Sequence, residues 1–343
     1  MKDYLVRPSM MMEARENGKG HNWFVELLIF ALVFIVISIP TGIVTAIGMI
    51  IYLSSSSELM DLIKAGATNM EKITEVTTRL MNNRPEWIII LMLFSEAITI
   101  LGVIIYCRNI EKRKLSTLGF RKNKFATEYA KGLLIGFVVF SVAVLICVFT
   151  GSLKISGISP EFSLVLVVLY FAGYLVQGMA EEVLCRGYLL VSISRRYSIP
   201  IAIMISSSVF ALMHLGNSGV TVMAVINLIL FGVFAGIIMI TRGNIWMVAG
   251  IHSMWNFVQG NLFGIQVSGL AKQNSILSSD LIQDKAVING GTFGLEGGLA
   301  VMIVLLIGIG VVLYRSSKFK NLQEVENTIT ETVEAVESNK III

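Results

Sequence analysis

Eight long apolar stretches, separated by polar segments, dominate this sequence of 343 residues. A helix needs about 20 apolar residues to cross the hydrocarbon core of a bilayer. Charged residues make up only 15% of the chain, whereas soluble domains carry about 25%. The sequence therefore predicts an all-α, polytopic transmembrane helical bundle. The predicted spans are residues 23–53, 87–107, 132–150, 164–191, 199–214, 220–241, 243–260 and 297–314.

Three of these spans differ from the ideal length. The first is longer than a bilayer requires and contains Pro40, so we expect a kink or an extension beyond the membrane. The fifth and the seventh are short. The backbone polar groups at their ends therefore need hydrogen-bond partners from neighbouring helices or from a locally wet cavity.

The distribution of Lys and Arg predicts the orientation. If the N-terminus is cytoplasmic, the cytoplasmic segments hold 20 of the 27 Lys and Arg residues and the external segments hold seven. Positive charge accumulates on the cytoplasmic side of membrane proteins. We therefore expect both termini in the cytoplasm and a multi-pass protein of a bacterial plasma membrane. Residues 1–22 lack the pattern of a cleavable signal peptide.

The chain divides into five predicted parts. A cytoplasmic N-terminal segment is followed by accessory transmembrane helices, a core that carries the chemistry, a loop with the last helix, and a cytoplasmic tail. Their boundaries are residues 1–22, 23–160 (with an extracytoplasmic loop at 54–86), 161–261, 262–314 and 315–343.

Two classes of partner and site are not expected. The three cysteines, Cys107, Cys147 and Cys185, have no paired spacing, which argues against disulfides or a thiolate zinc site. No long basic tract is interleaved with aromatic residues, so no nucleic acid is expected as a partner.

Polar and ionisable residues inside the spans form a small cluster. Such groups are costly in a bilayer, and each one is a functional candidate. Glu96 in the second span is a further buried charge to which the sequence assigns no role. The cluster comprises Glu181, Glu182 and Arg186 in the fourth span, His214 at the end of the fifth, and His252 and Asn256 in the seventh.

The spacing within the cluster predicts which side chains meet. Glu182 and Arg186 are four residues apart, as are His252 and Asn256, so each pair shares one helix face. Glu181 and His214 are nearly equidistant from the turn at residues 197–198. Two antiparallel helices would place both at one depth, about 24 Å from that turn.

These residue types fit the hydrolysis of an amide. A carboxylate that faces a histidine in a dry cavity is a suitable general base for water. A second histidine with an asparagine can stabilise the oxyanion that forms when water attacks a carbonyl group.

The three motifs resemble those of a known family. Glu-Glu-x-x-x-Arg (181–186), Phe-x-x-x-His (210–214) and His-x-x-x-Asn (252–256) occur in the order found in the CPBP family of CAAX proteases and bacteriocin-processing proteins. The similarity covers about residues 164–260, and the segment 115–122 resembles one that precedes this core. Cys185 departs from the pattern, in which an aromatic or apolar residue precedes the arginine.

The resemblance implies roles for the cluster. Glu181 would be the catalytic base, with His214 helping to hold the water, and His252 and Asn256 would form the oxyanion hole. Glu182 would pair with Arg186 and support the site. The implied activity is an intramembrane endopeptidase of the CAAX, bacteriocin-processing or signal-peptide-processing type. Its partners would be the lipid bilayer, a hydrophobic peptide or membrane-protein substrate, and a further membrane protein.

Several alternatives stay open at this stage. Glu181, His214 and His252 could bind zinc as a cofactor, although a metal-free mechanism without a cofactor is favoured because neither histidine has a histidine partner four residues away. Gly216-Asn-Ser-Gly219 matches a short rhomboid-type serine protease pattern. A non-catalytic immunity or sensor-scaffold protein would use the cluster only to tie helices together. A proton-coupled transporter would show inverted repeats, which the sequence lacks.

Overall fold

The predicted helical membrane bundle is confirmed by the computed structural model, which describes residues 7–66 and 70–317. Helices occupy all eight predicted spans. Among the described residues, six helices are long and apolar enough to cross a membrane. The fifth and seventh spans form the shorter helices Ile199–Met213 and Trp246–Phe257, as their lengths predicted. Most of the predicted tail, from residue 318 onward, lies outside the described residues.

Several spans contain π-helical turns or breaks that hydropathy does not reveal. The second span is formed by two helices and a π-helical turn, Tyr106–Ile110, and the fourth continues through a π-helical segment, Val183–Leu190. In chain order the α-helices are α1 (Ser9–Glu16), α2 (Trp23–Ser54), α3 (Ser57–Lys64), α4 (Met70–Asn82), α5 (Glu86–Ser95), α6 (Ala97–Ile105), α7 (Phe125–Phe149), α8 (Leu164–Glu182), α9 (Val191–Ser194), α10 (Ile199–Met213), α11 (Val222–Arg242), α12 (Trp246–Phe257), α13 (Ala286–Asn289) and α14 (Leu299–Ser317).

The long first helix runs without interruption through Pro40. With 32 residues, α2 is about 48 Å long and exceeds the roughly 30 Å hydrocarbon core, so we still expect it to extend beyond the membrane. The side chain of Asn22 caps its first turn by accepting a hydrogen bond from the backbone of Val25. Its outward side chains are exposed, for example Leu32 and Ile39, as a surface covered by lipid requires.

Two short strands connect the loops on one side of the bundle. β1 (Leu153–Ile158) follows the third span, β2 (Leu277–Leu281) follows the seventh, and they pair antiparallel. The sequence analysis did not predict them, because the apolar–polar alternation of β1 covers only Leu153 to Ser156 and β2 has no such alternation. We call the side formed by β1, β2 and residues 159–163, 215–221 and 263–298 the loop face; Ser159 and Asn217 donate hydrogen bonds to the backbone oxygens of Ile276 and Ser268, respectively.

The opposite side, which we call the basic face, consists of α1, residues 111–124 and the turn at residues 195–198. Arg195 donates a hydrogen bond to the backbone oxygen of Gly18, which ties the N-terminal segment to that turn. Glu13 of α1 lies 2.8 Å from Arg121. The hydrogen bond from the Ser116 hydroxyl and the ion pair with Arg121 lower the pKa of Glu13 below its ordinary value. α1 was not predicted from the sequence.

Glycines allow the seventh span to pack tightly against the third and the fourth. An added Cβ at Gly132 of α7 would lie 2.2 Å from the backbone oxygen of Met247 in α12. Gly136 and Gly250 meet the facing backbone in the same way, and Gly178 of α8 contacts the backbone of Ser253. Small residues at such spacing let membrane helices approach closely. α12 is thereby fixed between α7 and α8, which positions His252 and Asn256.

We predict that Gly132→Ala lowers the thermal stability of the purified protein. The new methyl group would collide with a backbone carbonyl, and overpacking of this kind costs about 1–3 kcal/mol. Gly310→Ala in α14 is the matched control, because a Cβ there meets nothing within 4 Å. Thermal unfolding in detergent measures both variants. Equal Tm values for the two would contradict the packing described for α12.

Candidate active site

A cavity of about 310 Å³ lies among α8, α10, α11 and α12, beneath the loop face. Its wall includes Glu181, His214, His252 and Asn256. The structure thus brings together the four side chains that the sequence placed on three separate spans. Glu182 and Arg186 are wholly buried behind that wall.

The carboxylate of Glu182 binds two partners from different spans. Its Oε1 accepts hydrogen bonds from Arg186 Nη1 at 2.9 Å and from His252 Nδ1 at 2.8 Å. Because an ionised carboxylate only accepts hydrogen bonds, Nδ1 of His252 carries the hydrogen. The guanidinium carbon of Arg186 also lies 4.4 Å from the centre of the Phe210 ring, a cation–π contact. Glu182 therefore connects the fourth span to the seventh.

Glu181 is held by an amide chain rather than by a second charge. Gln177 Nε2 donates to Glu181 Oε1 at 2.5 Å, and Asn256 Nδ2 donates to Gln177 Oε1 at 2.9 Å. The other oxygen, Oε2, lies 3.5 Å from His252 Nε2, which is too far for a good hydrogen bond. Among the described residues Oε2 has no hydrogen-bond partner. One carboxylate oxygen is thus fixed and the other is free to accept.

His214 lies at the C-terminal end of α10. Its Nδ1 is 2.8 Å from the backbone oxygen of Phe210, one helical turn earlier. A carbonyl oxygen only accepts, so Nδ1 donates and Nε2 keeps its lone pair when the ring is neutral. The cavity wall therefore carries both the carboxylate of Glu181 and an imidazole whose Nε2 can accept a hydrogen bond when the ring is neutral.

A comparison with known protein families adds a second observation to this geometry. The matching family model is described as type II CAAX prenyl endopeptidase, Rce1-like, and its match spans residues 163–258. This segment is similar to Rce1-like CAAX proteases. It contains all six predicted site residues and confirms the resemblance drawn from the three motifs. No curated protein matches the chain in a sequence search.

The match to the CAAX proteases covers less than a third of the chain, but it includes α8, α10, α11 and α12, which line much of the cavity. The matched family is described as an endopeptidase. Together with the six long apolar helices, the match identifies the chain as a membrane protein.

The sequence analysis missed several residues that line the cavity. Gln177 lies one turn before Glu181, and a polar residue at that position within an apolar span was a signal that could have revealed it. Glu296 comes from the glycine-rich run that precedes the last span, where no periodicity marks a buried residue. Arg84 and Glu96, the latter without an assigned role, also line the cavity.

Two alternative chemistries gain no support from the geometry. Among residues 7–66 and 70–317, no group of three His, Cys, Asp or Glu side chains is placed to hold a metal ion, and zinc bound by Glu181, His214 and His252 stays an alternative. Ser218 of the short serine protease pattern does not line the cavity, and His252 directs its Nδ1 to Glu182 instead.

We predict that Arg186→Met strongly destabilises the protein, because it leaves the buried Glu182 charge uncompensated. Breaking a buried ion pair costs about 3–5 kcal/mol. The double variant Glu182→Gln/Arg186→Met should recover part of the loss, since no buried charge of the pair remains. Arg79→Met is the control, because Arg79 and Glu58 are about half exposed and such pairs contribute about 0–1 kcal/mol. A Tm of Arg186→Met equal to that of Arg79→Met would contradict the structural role of the pair.

Proposed function

We propose that this protein is an intramembrane endopeptidase that hydrolyses peptide bonds of hydrophobic or membrane-associated peptides through water activated by Glu181. The observation that carries the proposal is the convergence of Glu181, His214, His252 and Asn256 on one cavity inside the bundle. The match to the CAAX proteases supports the same reaction. Processing of CAAX-type, bacteriocin or signal peptides is the substrate class that we infer.

The acceptor groups on the wall would orient the attacking water. Oε2 of Glu181 has no hydrogen-bond partner among the described residues, and Nε2 of His214 can accept a hydrogen bond when the ring is neutral. A water bound between them donates both of its hydrogens, so its lone pairs face the substrate carbonyl. Glu181 then takes one proton as the oxygen attacks, which is general base catalysis.

The negative charge that develops on the substrate carbonyl oxygen needs hydrogen-bond donors. Asn256 Nδ2 has two hydrogens, and Gln177 accepts only one of them, so the second is available. Nε2 of His252 donates only as an imidazolium, a cation that would lie between the carboxylates of Glu181 and Glu182. These two residues are the proposed oxyanion hole.

We predict that Glu181→Gln and His214→Ala each reduce cleavage of a membrane-peptide substrate by about 100- to 10,000-fold, the usual range for the loss of an acid–base group. Glu161→Gln, an exposed carboxylate on the loop face, is the control and should keep wild-type activity. Cleavage by purified protein in lipid vesicles measures all three. Unchanged cleavage in both site variants would reject the proposed mechanism.

A non-catalytic immunity or sensor-scaffold function is the second candidate. The observation that favours it is that the contacts of Glu182 also tie α8 to α12. A stably inserted Glu181→Gln variant that retains the cellular phenotype would support binding rather than catalysis.

We also propose that the cavity faces the extracytoplasmic half of the membrane. Its lining residues Asn217, Ser268 and Leu270 belong to the loop face, whereas the Lys- and Arg-rich segments lie on the basic face. Positive segments stay in the cytoplasm. A substrate would then be cleaved near the outer leaflet of the plasma membrane.

We predict that Ala271→Cys, exposed on the loop face, reacts with a membrane-impermeant maleimide in intact cells. Lys122→Cys, exposed on the basic face, should react only after the cells are broken. Cys107, Cys147 and Cys185 are buried and give a low background. Labelling of Lys122→Cys but not Ala271→Cys in intact cells would reverse the orientation.

A further inference from the structure

Glu296 is a buried carboxyl group on the cavity wall, outside the segment that matches the CAAX proteases. Its side chain is 7% exposed. Oε2 accepts hydrogen bonds from the backbone N–H of Ser268 at 2.7 Å and from its hydroxyl at 2.8 Å, and Gln259 Nε2 lies 3.4 Å away. Among the described residues nothing donates to Oε1. One oxygen of this cavity-lining residue is thus held by the protein, while the other has no hydrogen-bond donor among the described residues.

The loop that carries Glu296 is built tightly enough to fix it. Gly290 has a φ of 80°, and a Cβ there would lie 1.9 Å from the backbone oxygen of Gly294. Gly294 has a φ of 95° and packs just as closely against the backbone of Gln266. Asn227 of α11 donates from Nδ2 to the backbone oxygen of Glu296 at 2.7 Å. Only glycine tolerates these conformations and approaches.

The residue that holds Glu296 is itself in an unusual conformation. Ser268 has a φ of 47°, a region that residues other than glycine rarely adopt and that costs about 1–3 kcal/mol. Its backbone oxygen accepts a hydrogen bond from Asn217 at 2.9 Å. In this conformation Ser268 directs both its N–H and its hydroxyl to one oxygen of Glu296. Strain retained at such a point indicates that the position of the carboxyl group matters.

The hydrogen bonds also determine where a proton on this group would be. Since Oε2 accepts from Ser268, a proton occupies Oε1. Burial raises the pKa of Glu296, and the hydrogen bonds from Ser268 oppose that effect only in part. The charged and titratable groups that share its cavity are Arg84, Glu96, Tyr174, Glu181, His214 and His252.

We propose that Glu296 is a second acid–base group of the site, which donates a proton to the leaving amine. This inference rests on the proposed endopeptidase activity. Hydrolysis of an amide needs a base for the water and an acid for the nitrogen, because an amide anion is too basic to leave unprotonated. Glu181 provides the first function, and Glu296 supplies the second from another wall of the cavity.

The step balances without any further reactant. Water attacks the carbonyl carbon and gives one proton to Glu181. When the C–N bond breaks, its electron pair goes to nitrogen, and nitrogen takes the proton from Oε1 of Glu296. The products are a carboxylic acid and an amine, and transfer of the proton from Glu181 to Glu296 through water restores both groups.

The test compares two substrates that differ only in the scissile bond, a peptide and the matching depsipeptide ester. An alkoxide is a far weaker base than an amide anion, so an ester needs the acid much less. We expect Glu296→Gln to lose about 100-fold or more of kcat/KM on the peptide, within the usual range for general acid catalysis, and far less on the ester. Glu296→Asp keeps a carboxyl group and should regain part of the peptide cleavage. Asp284→Asn, an exposed carboxylate of the same loop, is the control.

Equal losses on the two substrates would overturn the proposal, since a purely structural role affects both bonds alike. No loss on the peptide, or an Asp variant no better than the Gln variant, would overturn it as well. Failure of the endopeptidase activity itself is a different result, because the wild-type protein would then cleave neither substrate.

Discussion

The arrangement of the site depends on the buried carboxylate of Glu182. Burying a charge inside a membrane bundle is costly unless the charge is paired and hydrogen-bonded. Glu182 meets that requirement with Arg186 on its own helix and His252 on α12. Since the two partners lie on different spans, α8 and α12 can adopt only one mutual register. That register sets the position of Glu181, the next residue along the chain.

The glycines and the short helices make this pairing possible. Gly178 lets α8 touch the backbone of α12, and Gly132 does the same for α7. α10 has only 15 residues and is about 22 Å long, less than the thickness of the hydrocarbon core. It therefore ends at His214 inside the bundle, and the loops that follow it roof a polar cavity. Irregular backbone at membrane depth is tolerated where it lines such a cavity.

The sequence predicted the parts of this structure that depend on local spacing. Hydropathy located the eight helical spans, and intervals of four residues paired Glu182 with Arg186. The equal distances of Glu181 and His214 from one turn indicated a shared depth, and both residues line the cavity. All of these arguments need only the geometry of single helices or of adjacent ones.

Other parts of the structure depend on contacts between segments that are distant in the chain, and these contacts leave no local spacing pattern in the sequence. Glu296 is positioned at the cavity by glycine turns and by Ser268, which has a positive φ, and none of these residues lies in a periodic element. β1 and β2 pair across more than one hundred residues, and α1 docks through hydrogen bonds to a distant turn. Gln177 is intermediate. Its spacing from Glu181 could have revealed it, but its hydrogen bond to Asn256 depends on the packing of α12 against α8, which the sequence does not show.

The most direct test of the central claim is an experimental structure in lipid nanodiscs at a resolution that shows ordered water. The account predicts a water molecule within hydrogen-bond distance of both Oε2 of Glu181 and Nε2 of His214, with Glu182 bound to Arg186 and His252. A lipid chain or packed aliphatic side chains between Glu181 and His214, with no water in contact with either, would contradict it.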